Sequence, residues 1–156
     1  MMTKKNPAYL YAIKLLAGQD YSHWKLQKKL RQKSYNDEDI QAALKEVIEK
    51  KYLKEEIYLK NLIKKLILKN NSPELIKRKC EQEKLYPELN DILEVYQQIE
   101  MTPQDQIAKI IDKKLSYPQN RPDINKKKGQ IMRALQARGF SPYQANDLIN
   151  SELKDL

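Results

Sequence analysis

The sequence predicts an all-α protein, an elongated tandem array of three three-helix repeats, and three observations predict it. The composition favours helix: of 156 residues only three are glycine, and the chain is rich in Lys, Glu, Gln, Leu and Ala, all strong helix formers. Apolar residues recur every three or four positions, the spacing that gathers them on one face of a helix. The pattern also repeats along the chain. A shift of 105 residues lays Leu26, Leu30, Lys33, Tyr35, Ala43 and Leu44 onto Ile131, Leu135, Arg138, Phe140, Leu148 and Ile149. A shift of 50 lays Leu26, Leu30 and Tyr35 onto Ile76, Cys80 and Leu85, and one deletion then brings Ile40 and Leu44 onto Leu89 and Leu93. The implied units are 1–51, 52–101 and 102–156. A unit of this size is marginal alone, so stacking on a neighbour is expected to supply buried surface.

The elements follow in order. An apolar run from Ala8 to Ile13 sits in a first helix over 7–18. Leu26 and Leu30 mark the second (22–33); Ile40, Leu44 and Ile48 the third (37–50); Leu59, Leu62 and Leu66 the fourth (54–70). Ser72-Pro73 opens the fifth (73–84), because the hydroxyl caps free amides while proline occupies a first turn that needs no N–H. The repeat places the sixth at 87–99 with Leu89 and Leu93 inward. Thr102-Pro103 opens the seventh (103–115), which carries Ile107 and Ile111. Ser116 to Ile124, with Pro118 and Pro122, reads as an irregular arm before Lys126, Lys127 and Lys128. Ile131 and Leu135 mark the eighth helix (125–138). Ser141-Pro142 opens the ninth (142–154), which carries Leu148 and Ile149, and Gln144 completes a capping box with Ser141.

Several classes of function are disfavoured. The run at Ala8 to Ile13 is cut by Lys14, far short of the roughly 18 residues that span a bilayer, and no small-residue cleavage site follows it; neither a membrane span nor export is expected. One cysteine and one histidine give no disulfide and no zinc set, and a reducing cytoplasm fits best. With no phosphate-cradling glycine loop and no nucleophile elbow, neither a catalytic residue nor a cofactor is expected. His23 reads as structural rather than as an acid–base group, having no catalytic partner at motif spacing. Cys80 reads as a small core residue, against the minor alternative of a low-pKa thiol beside Lys77 and Lys79. Trp24 fits a partner-facing position or an anchor on a neighbouring helix equally well. Tyr35, Tyr52, Tyr86 and Tyr117 fall near helix ends and read as junction packing.

Charge gives the positive signal. The chain carries 30 Lys+Arg against 21 Asp+Glu, a net +9, unevenly placed. The second helix has Lys25, Lys28, Lys29, Arg31 and Lys33 and no acid; the eighth has Lys126, Lys127, Lys128, Arg133 and Arg138 and no acid. The third and sixth helices are each net −3. Lys25, Lys28, Lys29 and Gln32 share one face, opposite Leu26 and Leu30, in a stripe suited to an acidic protein groove or to phosphates. A solvated face is the plain alternative. A helix-turn-helix reading is disfavoured, since the later helix that would enter the major groove is acidic.

The stretch from Ala8 through Ala17, Leu26-Gln-Lys-Lys-Leu30 with Lys33-Ser-Tyr35, the junction Tyr52-Leu53, Ser72-Pro73 with Ile76, and Leu135-Gln-Ala-Arg-Gly-Phe140 together resemble the RecX family of recombination regulators. The chain departs from that pattern at Lys51 and Lys84, where glycine is common in the family, and at Ile57, where an arginine is. The resemblance implies a bacterial cytoplasmic protein, monomeric, that binds a RecA-type recombinase filament along its groove. It would restrain filament growth or activity in recombination, DNA repair and the SOS response, without catalysis of its own. Direct contact with single- or double-stranded DNA remains open. The expected contact residues are Lys25, Lys28, Lys29, Arg31, Lys126, Lys127, Lys128, Arg133 and Arg138, and the rival functions are general nucleic-acid binding through the same stripes and an unrelated helical adaptor.

Overall fold

The computed structural model describes residues 6–115, 124–141, 143, 144, 146, 147, 149 and 150. They contain eight helices: α1 (Pro7–Gly18), α2 (His23–Gln32), α3 (Asp37–Glu49), α4 (Glu55–Leu68), α5 (Pro73–Gln82), α6 (Leu89–Gln98), α7 (Pro103–Leu115) and α8 (Ile124–Ala137). Each lies within two residues of its predicted range, and no strand occurs among the described residues. Residues 143, 144, 146, 147, 149 and 150 are also helical, where a ninth helix is expected. The rest of that helix, and the arm at 116–123, lie outside the described residues.

Local sequence sets the helix starts. Asn6 caps α1, accepting from the Ala8 amide at 3.0 Å, and Pro7 takes the first turn. Ser22 and Asn36 cap α2 and α3 through the Lys25 and Asp39 amides. The three hydroxyls that precede prolines in the sequence cap as expected: Ser72, Thr102 and Ser141 each accept from the amide three residues on. At Ser141 the Gln144 side chain returns the contact at 3.2 Å, completing the capping box.

Five helix ends share one geometry. Lys51, Asn70, Lys84 and Glu100 are non-glycine residues with φ of 58°, 63°, 59° and 55°, joined by Gly139 at 83°. At each, the next residue's amide donates five positions back, as Tyr52 does to the Val47 carbonyl at 2.9 Å and Leu85 to Cys80 at 3.0 Å. These are Schellman endings, in which a left-handed residue lets the chain turn back over the last helical carbonyls. Lys51 and Lys84 thus take the backbone form that glycine adopts without cost.

By its contacts the chain divides into two compact units, Met1–Leu62 with Cys80–Leu85 and Ile63–Lys79 with Tyr86–Leu156, where the sequence pattern predicts three repeats. In the first, α1 packs on α3 and α2, and α2 on α3. Ala8, Ala12, Tyr21, Leu26, Leu30, Ile40, Ala43, Leu44 and Val47 form its core. In the second, α7 packs on α8 around Ile107, Ile110, Ile111, Ile131, Leu135, Phe140 and Ile149. Unit two also buries a polar cluster that nothing in the sequence announced. The Tyr96 hydroxyl donates to Gln106 Oε1 at 2.7 Å, and Gln106 Nε2 donates to the carbonyls of Ile67 and Asn71, both at 2.9 Å.

Two expectations about inward faces are corrected. Leu89 and Leu93 are 40% and 37% exposed; α6 instead buries Ile92, Val95 and Tyr96, because Tyr96 must reach the polar cluster with Gln106. Ile48 is likewise outside and its neighbour Val47 inside. The aromatic junctions divide as well: Tyr35 packs on Tyr11 with ring centroids 6.2 Å apart, while Tyr52 and Tyr86 are exposed. Tyr117 lies outside the described residues.

Candidate functional site

On α2 the stripe is built by a short capped helix whose Leu26 and Leu30 are fully buried and whose other positions are half-buried or exposed. Lys28, Arg31 and Lys33 are exposed, and Lys25 and Lys29 are half-buried. Several of these cations lie over aromatic faces. The Lys25 ammonium is 5.7 Å from the Tyr58 ring centroid, Lys28 is 5.1 Å from Trp24, and Lys33 is 5.2 Å from Tyr11. Such contacts contribute roughly 0.5–1 kcal/mol each at exposed positions and hold the ammoniums in place without neutralising them. Trp24 is therefore half-buried under a lysine. Arg31 meets Asp37 only at 4.0 Å with both side chains largely in water, a pair of little energetic weight.

Beside the stripe, the Tyr58 hydroxyl donates to Glu83 Oε1 at 2.5 Å, and burial followed by the Glu83 carboxylate pushes its pKa well above the usual tyrosine range. The backbone amide of His23 donates to Glu55 Oε1 at 2.9 Å, so this first-turn residue ties α2 to the start of α4. Cys80 is buried, and burial, with lesser help from Glu83 and Glu81, pushes its thiol up to about 11. That rules against the low-pKa alternative and for the small core residue.

The α8 cations do not reproduce the α2 row. Lys127 is only 4% exposed and donates to the Lys114 carbonyl at 2.8 Å, in the last turn of α7. The solvent-facing placement expected for Lys127 is thereby corrected: it fastens α8 to α7. Lys128 donates to Asn150 Oδ1 at 3.0 Å. Lys126, Arg133 and Arg138 are exposed. Arg138 joins Lys113, Lys114 and Asn70 around a cleft of about 280 Å³ floored by Ile110, Ala134 and Ala137. Lys113 and Lys114 do not stand out in the sequence, because two cations in a helix's last turn look like ordinary partners of the helix dipole. Among the described residues no three His, Cys, Asp or Glu side chains gather to hold a metal, and no helix is long and apolar enough to cross a membrane.

Fold and charge together define the class: an all-helical protein of small capped bundles, with cations concentrated on the second helix of the first. Residues 8–46, which are α1, α2 and most of α3, match the family described as RecX, first three-helix domain. Two crystal structures share the fold over 96% of this chain: RecX from Lactobacillus salivarius, at 19% identity, 96% of that chain covered and a TM-score of 0.64, and a regulatory protein RecX, at 20% identity, 72% covered and 0.66. A comparison with curated proteins by sequence finds no match. The resemblance to the RecX family read from the sequence is borne out by the family match and by the fold.

Proposed function

We propose that the chain is a regulatory, non-catalytic protein that binds a RecA-type recombinase filament and restrains its growth or activity in recombination and DNA repair, acting as a cytoplasmic monomer. The observation that carries the reading is the RecX match over residues 8–46, since it falls on the bundle whose α2 bears the ordered cationic stripe. Lys25, Lys28, Lys29 and Arg31 are assigned as one contact, and Lys126, Lys128, Arg133 and Arg138 as a second. In the three-repeat organisation assigned to the chain, these fall in the first and third units, so a filament engaged at both is held more tightly than at either alone.

Cosedimentation with preformed recombinase–DNA filaments, beside DNA alone, tests this. Lys25→Glu/Lys28→Glu/Lys29→Glu should lower filament binding while circular dichroism stays unchanged, and Lys126→Glu/Lys128→Glu/Arg133→Glu should act in the same direction. Parental binding by both triple variants would sink the assignment.

A second reading, non-specific nucleic-acid binding, is favoured by one observation: α2 carries Lys25, Lys28, Lys29 and Arg31 and no acid, a row that suits phosphates. It predicts that binding to bare DNA falls steeply with salt and that the α2 variant loses DNA binding as fully as filament binding.

A further inference from the structure

The first unit carries a groove of about 520 Å³ that the cationic stripe does not use. Ile13, Leu16 and Ala17, on the last turns of α1, form an apolar floor. Lys50, Lys51 and Lys54 form the rim, with Tyr52 between them 48% exposed. The volume falls in the range of roughly 300–1,000 Å³ typical of ligand-binding clefts. Its make-up, an apolar depression bordered by three lysines, differs from a plain solvated face, which has no floor.

The charge balance decides what the groove favours. α1 and α3 both end at this rim, and two helix C-termini contribute about −0.5 charge each. Lys50 is partly committed: it donates to the Tyr9 hydroxyl at 3.0 Å and pairs with Glu46 at 2.8 Å, and these two contacts raise its pKa. Lys51 and Lys54 remain to offset both helix ends and leave an excess of positive charge. No carboxylate is among the described residues that line the groove. Lys51 is held at φ 58° by the Schellman ending, which fixes its backbone at the lip.

We propose that this groove docks an acidic peptide segment carrying one large apolar side chain, the apolar group on the Ile13, Leu16 and Ala17 floor and flanking carboxylates at Lys51 and Lys54. A nucleic acid is a poorer fit, since a phosphate backbone needs cations along a track and gains nothing from an aliphatic floor. The assignment is independent of the recombinase reading and involves other helices' residues than the α2 stripe.

The test uses the full chain and a fluorescein-labelled peptide with the core Asp-Glu-Phe-Glu-Asp, read by fluorescence anisotropy. The proposal expects saturable binding, about tenfold weaker when the peptide's phenylalanine is replaced by alanine, because one buried aromatic is worth that factor or more. Lys51→Glu/Lys54→Glu should weaken it at least as much, with unchanged circular dichroism. Ala17→Phe, which fills the floor from an exposed helical position, should block it without altering charge. Equal binding of the phenylalanine and alanine peptides would overturn the proposal on the parent protein, without recourse to any variant. So would a single-stranded oligonucleotide that binds more tightly than the peptide and is lost in Lys51→Glu/Lys54→Glu.

Discussion

Replacing Lys51 and Lys84 by glycine should make the protein more stable, although both changes delete a side chain and introduce the poorest helix former after proline. The reason lies in the backbone. Both residues sit at φ near 60°, where an L side chain costs about 1–2 kcal/mol and glycine nothing. Glycine gives back roughly 0.5–1 kcal/mol through the greater freedom of the unfolded chain. The net gain is about 0.5–1 kcal/mol per site, or about 1–4 °C in Tm for a chain of this size. The hydrogen bonds that close each turn are main-chain ones, from Tyr52 to Val47 and from Leu85 to Cys80, so the substitution leaves them intact. Lys45→Gly supplies the opposite sign: Lys45 is exposed in the middle of α3, where glycine costs about 1 kcal/mol. Urea unfolding of the three variants beside the parent measures the contrast. If Lys51→Gly and Lys84→Gly fall alongside Lys45→Gly, the left-handed helix ends are wrong.

Other consequences are equally open to measurement. Leu30→Asp or Leu135→Asp should unfold its bundle, each placing a carboxylate where the parent residue is at most 1% exposed, and an unchanged melt by circular dichroism would contradict the assigned cores. Gly139→Ala should cost more than about 2 kcal/mol in urea unfolding, because φ is 83° and the new methyl would run into Ser72 Oγ and the Leu75 side chain. Lys127→Ala should lower the free energy of unfolding by about 1–3 kcal/mol through the unmet Lys114 carbonyl, whereas an exposed position on the same helix, tested by Arg133→Ala, should change it by no more than about 0.5 kcal/mol. The Cys80 thiol, raised from 9.0 to about 11, keeps its proton in the folded state where the unfolded chain releases it. Its contribution therefore favours folding less and less as pH rises from about 9 to 11, and a thiol reagent at about pH 8 should label it only after denaturant is added.

What the sequence determined by itself is local. A capping hydroxyl, a proline in the first turn and an apolar residue every three or four positions act within about a dozen residues, so α1 to α8 lie where the pattern places them. The α2 stripe was legible for the same reason: Leu26 and Leu30 fix the inward direction, which leaves Lys28 exposed and Lys25 and Lys29 half-buried on its flanks. Tertiary structure decided what depends on partners far along the chain. α6 carries apolar residues on more than one face, and only the buried Tyr96–Gln106 contact selects Ile92, Val95 and Tyr96 over Leu89 and Leu93. Lys127 stands in a run of three identical residues; its spacing of four and eight from Ile131 and Leu135 places it on the inward face of α8, and the tertiary structure supplies its acceptor, the Lys114 carbonyl on α7. The left-handed turn at Lys51 and Lys84 is local in its hydrogen bonds, which span five residues, yet it runs against the residues' own preference, because leaving the last helical carbonyls unpaired costs more than one strained φ.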